Sequence, residues 1–233
     1  MAEELNRPQE IYDKLWREAG EAFDSGNPRL DPFLQNRAND CRRGVTLIAR
    51  PDSGVRDRVA KFLQEAAQTA PGQHFYQPPE FHLTVLSVIP GSESWQGRAK
   101  RLPDYLAVLA DVLKNCPAFS INFRGITASP ETVMIQGFPA GGDLLRLRND
   151  LCAALTKRGL GENLDRRYKI VTAHLTVIRF ATPMKDWQSF KTFLADQRSK
   201  DFGEARVRSL QLIEGDWYAS ADSVRLIQEY PLK

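Results

Sequence analysis

Apolar residues recur at helical spacing between residues 8 and 24, where Ile11, Leu15, Trp16, Ala19 and Phe23 are separated by charges. The run stops at Ser25-Gly26-Asn27-Pro28, so an amphipathic helix is predicted there. A polar stretch bearing Pro and Asn continues to about Arg43, and residues 1–42 read as a helical extension packed on the main body. Beyond Gly44 the pattern changes. Val45 to Ala49 reads as a buried strand, Ser53 caps a helix running to about Gln68, and Phe81 to Ile89 forms a second apolar strand. A helix near Pro103 to Asn115 follows, with Leu106, Leu109, Ala110 and Leu113 on one face. The strands Phe119 to Ile126 and Thr132 to Gly137 close the first half.

The second half repeats the scheme. Gly141-Gly142-Asp143 opens a helix whose Leu144, Leu147, Leu151 and Leu155 make an apolar stripe, broken by Gly159 and Gly161. The strand Ala173 to Phe180, a helix from about Lys185 to Gln197, and the strands Val207 to Ile213 and Ser223 to Glu229 complete it. A polar link containing Trp217 joins the last two. Two βαβ-type units related by duplication are predicted, within one bilobal α/β (α+β) domain spanning residues 43–233.

Chemistry enters with the histidines. The chain holds three, and two begin the same tetrapeptide, His82-Leu83-Thr84-Val85 and His174-Leu175-Thr176-Val177, each expected inside a strand. Strand side chains alternate, so His and Thr share one face while Leu and Val anchor the other. A lone histidine on an apolar strand is commonly a hydrogen-bonded core residue, but a core histidine has no reason to bring a threonine two residues later, twice. Cleaving a phosphodiester requires a base for the attacking oxygen, an acid for the leaving oxygen and donors for the non-bridging oxygens. Two imidazoles and two hydroxyls supply these groups. Neither histidine has a nearby carboxylate cluster or a metal-ligand spacing, so no metal and no cofactor is expected.

Composition narrows the setting. Of 233 residues, 42% are hydrophobic and 26% charged, values that suit a folded globular chain. The net charge of +3 balances 32 basic against 29 acidic residues, which leaves no broad footprint for duplex DNA and confines phosphate recognition to a local site. Cys41, Cys116 and Cys152 are odd in number and lack metal-type spacing, arguing against a disulfide framework. Without a signal-like N-terminus or an apolar run of about 18 residues, a cytoplasmic protein with no membrane contact, acting as a monomer, is expected.

The paired tetrapeptides resemble the signature of the two-histidine (2H) phosphoesterase superfamily, whose bacterial and archaeal members are called RNA 2',3'-cyclic phosphodiesterases or 2'-5' RNA ligases. The resemblance in element order runs from about Arg43 to the C-terminus. It implies a bilobal fold of two antiparallel sheets facing a central cleft with helices outside, His82 and His174 pointing into the cleft, and Thr84 and Thr176 binding phosphate without metal. Arg179, five residues after His174, matches a basic position frequent in the second motif of that superfamily; Ser87 stands at the corresponding place in the first. Simple alternation puts Arg179 on the face opposite His174, as a structural ion pair or a substrate contact. Residues 86–97 lack the short glycine turn common after the first motif.

Around the motifs, Phe75, Tyr76 and Phe81 on one side and Arg166, Arg167, Tyr168 and Lys169 on the other form a candidate aromatic and basic rim, suited to bases and phosphates. Trp217 and Tyr218 are candidates to cap a base, and His74 reads as an exposed loop residue. The expected activity is hydrolysis of the 2',3'-cyclic phosphate of a nucleotide or RNA end, with His174 as base and His82 as acid, the roles swapping in a ring-forming or 2'-5' RNA ligation direction. The alternative is a nucleotide or RNA-end binding module with the same phosphate site and little turnover.

Overall fold

The computed structural model describes residues 2–161, 164 and 172–233. Among these residues nine strands run β1 (Arg43–Ala49), β2 (His74–Phe75), β3 (Leu83–Ser92), β4 (Phe119–Ala128), β5 (Thr132–Pro139), β6 (Leu175–Arg179), β7 (Asp201–Val207), β8 (Ser209–Asp216) and β9 (Arg225–Pro231). Helices are α1 (Ala2–Asp24), α2 (Ser53–Thr69), α3 (Trp95–Ala99), α4 (Leu102–Leu113), α5 (Asp143–Lys157) and α6 (Trp187–Asp196). Among the described residues, no helix is long and apolar enough to cross a membrane.

The strand order is β7-β4-β5-β6-β3-β1-β8-β9, every pairing is antiparallel, and β2 adds to β6. Two four-stranded blocks, β7-β4-β5-β6 and β3-β1-β8-β9, meet at one residue pair, Leu83 with Leu175. The two antiparallel sheets expected from the sequence are therefore joined at their edges into one curled half-barrel, with helices packed against it. Each block is covered from the other half of the chain. Helix α2 leaves β1 and packs on β7, where Arg58 Nε donates to the Phe202 carbonyl at 2.7 Å, while α5 leaves β5 and packs against β3.

The reasons for the elements are local. Asp52, one residue before the expected cap, accepts from Val55 N at 2.9 Å and starts α2, whose Val55, Val59, Phe62 and Ala66 are buried. Helix α1 begins earlier than its apolar pattern, running through Pro8, and buries Tyr12, Ala19 and Phe23. Phe23 stacks on Trp187 at 5.6 Å, nearly parallel, and meets Phe180 edge-on. Strand β7 is not predicted by the pattern, because Asp-Phe-Gly-Glu-Ala-Arg looks polar. It is a half-buried strand with Phe202, Ala205 and Val207 inward, and the single strand expected from Val207 to Ile213 is split at Arg208.

Candidate active site

The two tetrapeptides enter their ladders alike. His82 and His174 each stand one residue before the first ladder residue, rather than inside a strand. In both tetrapeptides His and Thr are half-buried while Leu and Val are buried, the alternation that the pattern predicts. Carrying the Leu83–Leu175 pairing one residue further sets Thr84 beside His174 and His82 beside Thr176. Diagonal partners in a regular ladder stand about 7–8 Å apart. The histidines are close enough that His82 disfavours charge on His174.

Each motif ends in a β-bulge. Leu47 pairs with Leu86 and Ile48 with Thr84, so Val85 is the extra residue of β3; Val133 pairs with Ile178 and Met134 with Thr176, so Val177 is the extra residue of β6. The fourth position of each tetrapeptide thus shifts the pleat by one. Val85 and Leu86 are consecutively buried, as are Val177 and Ile178, and the next residues, Ser87 and Arg179, return to the face of the histidines. This corrects the opposite-face expectation for Arg179. Its guanidinium has no carboxylate within ion-pair distance among the described residues. Instead, Nε donates to Tyr76 Oη at 2.9 Å and the group lies 5.6 Å from the Tyr218 ring.

Partners two residues upstream orient the imidazoles. His82 Nδ1 lies 2.7 Å from the Glu80 carbonyl, which only accepts, so Nδ1 carries the proton and Nε2 is left for the cleft. His174 Nδ1 lies 3.1 Å from the Thr172 hydroxyl. Burial, then Arg50 and Arg179, holds His82 down at about 4, against a raising contribution from the Glu80 carbonyl. Burial, then Arg148, His82 and Arg179, holds His174 at about 4 as well. Both are neutral at pH 7 in the free protein. Among the described residues neither the Thr84 nor the Thr176 hydroxyl has a protein partner, so both remain available to phosphate oxygens.

Three residues outside the motifs brace them. Arg148, buried on α5, donates to the carbonyls of Thr84 (2.8 Å), Val85 (3.0 Å) and Thr172 (3.0 Å), tying the first motif to the approach of the second. Burial lowers its pKa to about 10, so it stays charged at neutral pH. Tyr12, fully buried, donates through its hydroxyl to Gly137 O at 3.1 Å and accepts from the N–H of Gly137 and of Ala173, the residue before His174. Gly137 is required here, because a Cβ would collide with the Ala173 carbonyl oxygen. Arg50 donates to the Pro79 carbonyl and, at 3.4 Å, to that of Phe81, bracing the turn that leads into His82.

A model of the 2'-5' RNA ligase superfamily matches residues 55–217, a span that includes both tetrapeptides and Arg148. The chain belongs to this superfamily of 2H phosphoesterases. The fold is similar to that of TT0787 of Thermus thermophilus, with a TM-score of 0.60 and 19% identity over 81% of this chain and 97% of that one. E. coli LigT complexed with 3'-AMP gives 0.56 and 11% identity over 82% and 99%, and a protein described as a phosphoesterase gives 0.54 and 13% over 82% and 99%. No curated protein matches the chain.

In this 2'-5' RNA ligase superfamily chain the expected rim is only partly a rim. Phe81 is fully buried and Tyr76 nearly so, because the ladder bond from Tyr76 N to Val177 O draws it under the sheet; only its hydroxyl reaches Arg179. Phe75 packs half-buried on the core. Trp217 is 43% exposed, with Arg42 at 4.7 Å from its ring, while Tyr218 is buried and donates to Asp31 at 3.0 Å. Arg166, Arg167, Tyr168 and Lys169 lie outside the described residues. His74 is not a loop residue. It pairs with Arg179 in the β2–β6 ladder, shares a face with Tyr76 at 4.9 Å between rings, and is held near pKa 4 by burial and then by Arg37 and Arg179.

The superfamily chain also uses residues that pattern reading passed over. Arg148 sits at a stripe position of α5, four after Leu144 and three before Leu151, and a charge on an apolar stripe was its signal. Tyr12 occupies the corresponding place in α1. Arg37 reaches the His74 ring from the N-terminal segment at 3.1 Å, and nothing local in the sequence marks it.

Proposed function

We propose that this chain is a metal-independent phosphodiesterase that opens the 2',3'-cyclic phosphate of a nucleotide or RNA end by two-histidine general acid–base catalysis. The observation that carries this reading is the juxtaposition of two identical bulged tetrapeptides, which sets two imidazoles, two hydroxyls unpartnered among the described residues, and Arg179 on one face. Water attacks phosphorus in line, one ribose oxygen leaves, and Thr84, Thr176 and Arg179 hold the charge on the non-bridging oxygens. His174, kept neutral by burial and by the charge of Arg148, starts the cycle as the base. His82 keeps a carbonyl partner that supports its cation and is the better acid. Run backwards, the same groups close the ring: the 2'- or 3'-hydroxyl gives up its proton and attacks phosphorus, and an oxygen of the phosphomonoester leaves as water. The complex of E. coli LigT with 3'-AMP supports a nucleotide as the ligand class. Three unpaired cysteines suit a cytoplasmic setting.

The test is product analysis after incubation, in EDTA, with nucleoside 2',3'-cyclic phosphates and with an RNA ending in one. A nucleoside monophosphate or opened RNA end is expected. Tight binding of these substrates with no product, unaffected by His82→Ala, would instead make the chain a binding module.

A further inference from the structure

Residues 27–42 form a strap that lies outside the superfamily match and is tied across the site's edge. On one side Arg29 N donates to Pro130 O (2.7 Å), Asp31 N to Phe180 O (2.8 Å) and Gln35 Nε2 to Ala181 O (2.9 Å). On the other, Tyr218 donates to Asp31 and the Arg42 guanidinium is sandwiched between Phe33 and Trp217. Between these anchors, Arg37 places one guanidinium nitrogen 3.1 Å from the His74 ring, donates with the other to Ser220 Oγ at 3.2 Å, and lies 4.9 Å from the Tyr218 ring.

Arg37 and Arg179 therefore flank the same His74 and Tyr218 pair, and among the described residues neither has a carboxylate within ion-pair distance. Two acids act on the cluster from a distance with their oxygens already hydrogen-bonded: Asp31 accepts from the Tyr218 hydroxyl and Phe33 N, and Asp216 accepts from the N–H groups of Tyr218 and Ser220. Two guanidiniums set beside one neutral imidazole concentrate positive charge there, and each planar guanidinium fork matches the oxygens of a phosphate. The cluster adjoins the catalytic face, since His74 is the ladder partner of Arg179 and Arg179 acts on both His82 and His174.

We propose that Arg37 and His74 form a second phosphate subsite next to the one that Arg179 serves, so that the preferred substrate carries another phosphate beside the cyclic one. This deepens the reading above and rests on it. The second phosphate is either the terminal 5'-phosphate of a mononucleotide or the adjoining diester of an oligonucleotide, two sources of one chemistry.

The experiment compares kcat/KM for a nucleoside 2',3'-cyclic phosphate, its 5'-phosphorylated form and a dinucleotide ending in the cyclic phosphate, for wild type and Arg37→Gln. Wild type is expected to favour one or both of the doubly phosphorylated substrates by about tenfold or more, the effect of one charged hydrogen bond. Arg37→Gln is expected to bring that ratio toward one. A gain with the mononucleotide identifies a terminal-phosphate subsite, and a gain with the dinucleotide alone an internal-diester one. Equal rates on all three, or a ratio that survives Arg37→Gln, overturns the subsite while leaving the phosphodiesterase reading intact. Calorimetric binding of a nucleoside 2',5'-bisphosphate against the 2'-monophosphate needs no turnover. Arg37-dependent tighter binding of the bisphosphate without hydrolysis of any substrate would keep the subsite and remove the phosphodiesterase reading.

Discussion

Single side chains set both the chemistry and its foundations. His82 and His174 were legible because a repeated His-x-Thr is improbable as core packing. Simple alternation misplaces Arg179, because a period of two carries no mark of the extra residue at Val177. Tyr12→Phe removes one hydroxyl that serves two N–H groups and a carbonyl behind His174, and it is expected to destabilise the protein by about 1–3 kcal/mol in denaturant unfolding. Arg148→Met strands three carbonyls and is expected to cost more, about 3 kcal/mol or above, with activity lost beyond what the reduced folded fraction explains. An anionic phosphate between the imidazoles offsets the field of Arg148 and Arg179, so a charged histidine is favoured in the complex. The basic limb of kcat should therefore lie at higher pH than that of kcat/KM; coincident limbs would show that the ligand leaves the histidines unchanged.

At the scale of elements, most helices and strands followed from apolar spacing, and the misses share a cause. Strand β2 is two residues long, β7 is half charged, and the strap has no periodicity, so tertiary pairing decides all three. The strap is the clearest instance: its polar Pro- and Asn-bearing sequence predicts an irregular segment, and only the fold shows that it brings Arg37 to His74. The close approach of β5 to the residue before His174 gives a prediction at this scale. Gly137→Ala forces β5 away from Ala173 and should lower both thermal stability and turnover, whereas the same change at the open Gly97, where a Cβ meets nothing within 4 Å, should do neither.

For the whole molecule, the joined blocks bury the environment of all three histidines and so link stability to pH. Unfolded imidazoles bind protons below about 6.5, while folded His74, His82 and His174 do so only near 4. Between those values the unfolded chain binds more protons. Stability is thus complete above about pH 6.5 and is lost as pH falls toward 4. Denaturant unfolding across that window should show the slope, and replacing any of the three with Gln should reduce it; an unchanged slope would mean that these histidines are not held neutral.

The central claim is that His82 and His174 act as one catalytic unit on a phosphodiester. It is tested most directly by kcat/KM for a 2',3'-cyclic nucleotide, in EDTA, for wild type, His82→Ala, His174→Ala and the double variant. The account predicts that each single replacement removes about 10²–10⁴ of the rate and that the double falls little further, as groups sharing one proton-transfer scheme do. A single variant that retains wild-type turnover, or losses that multiply in the double, would contradict it.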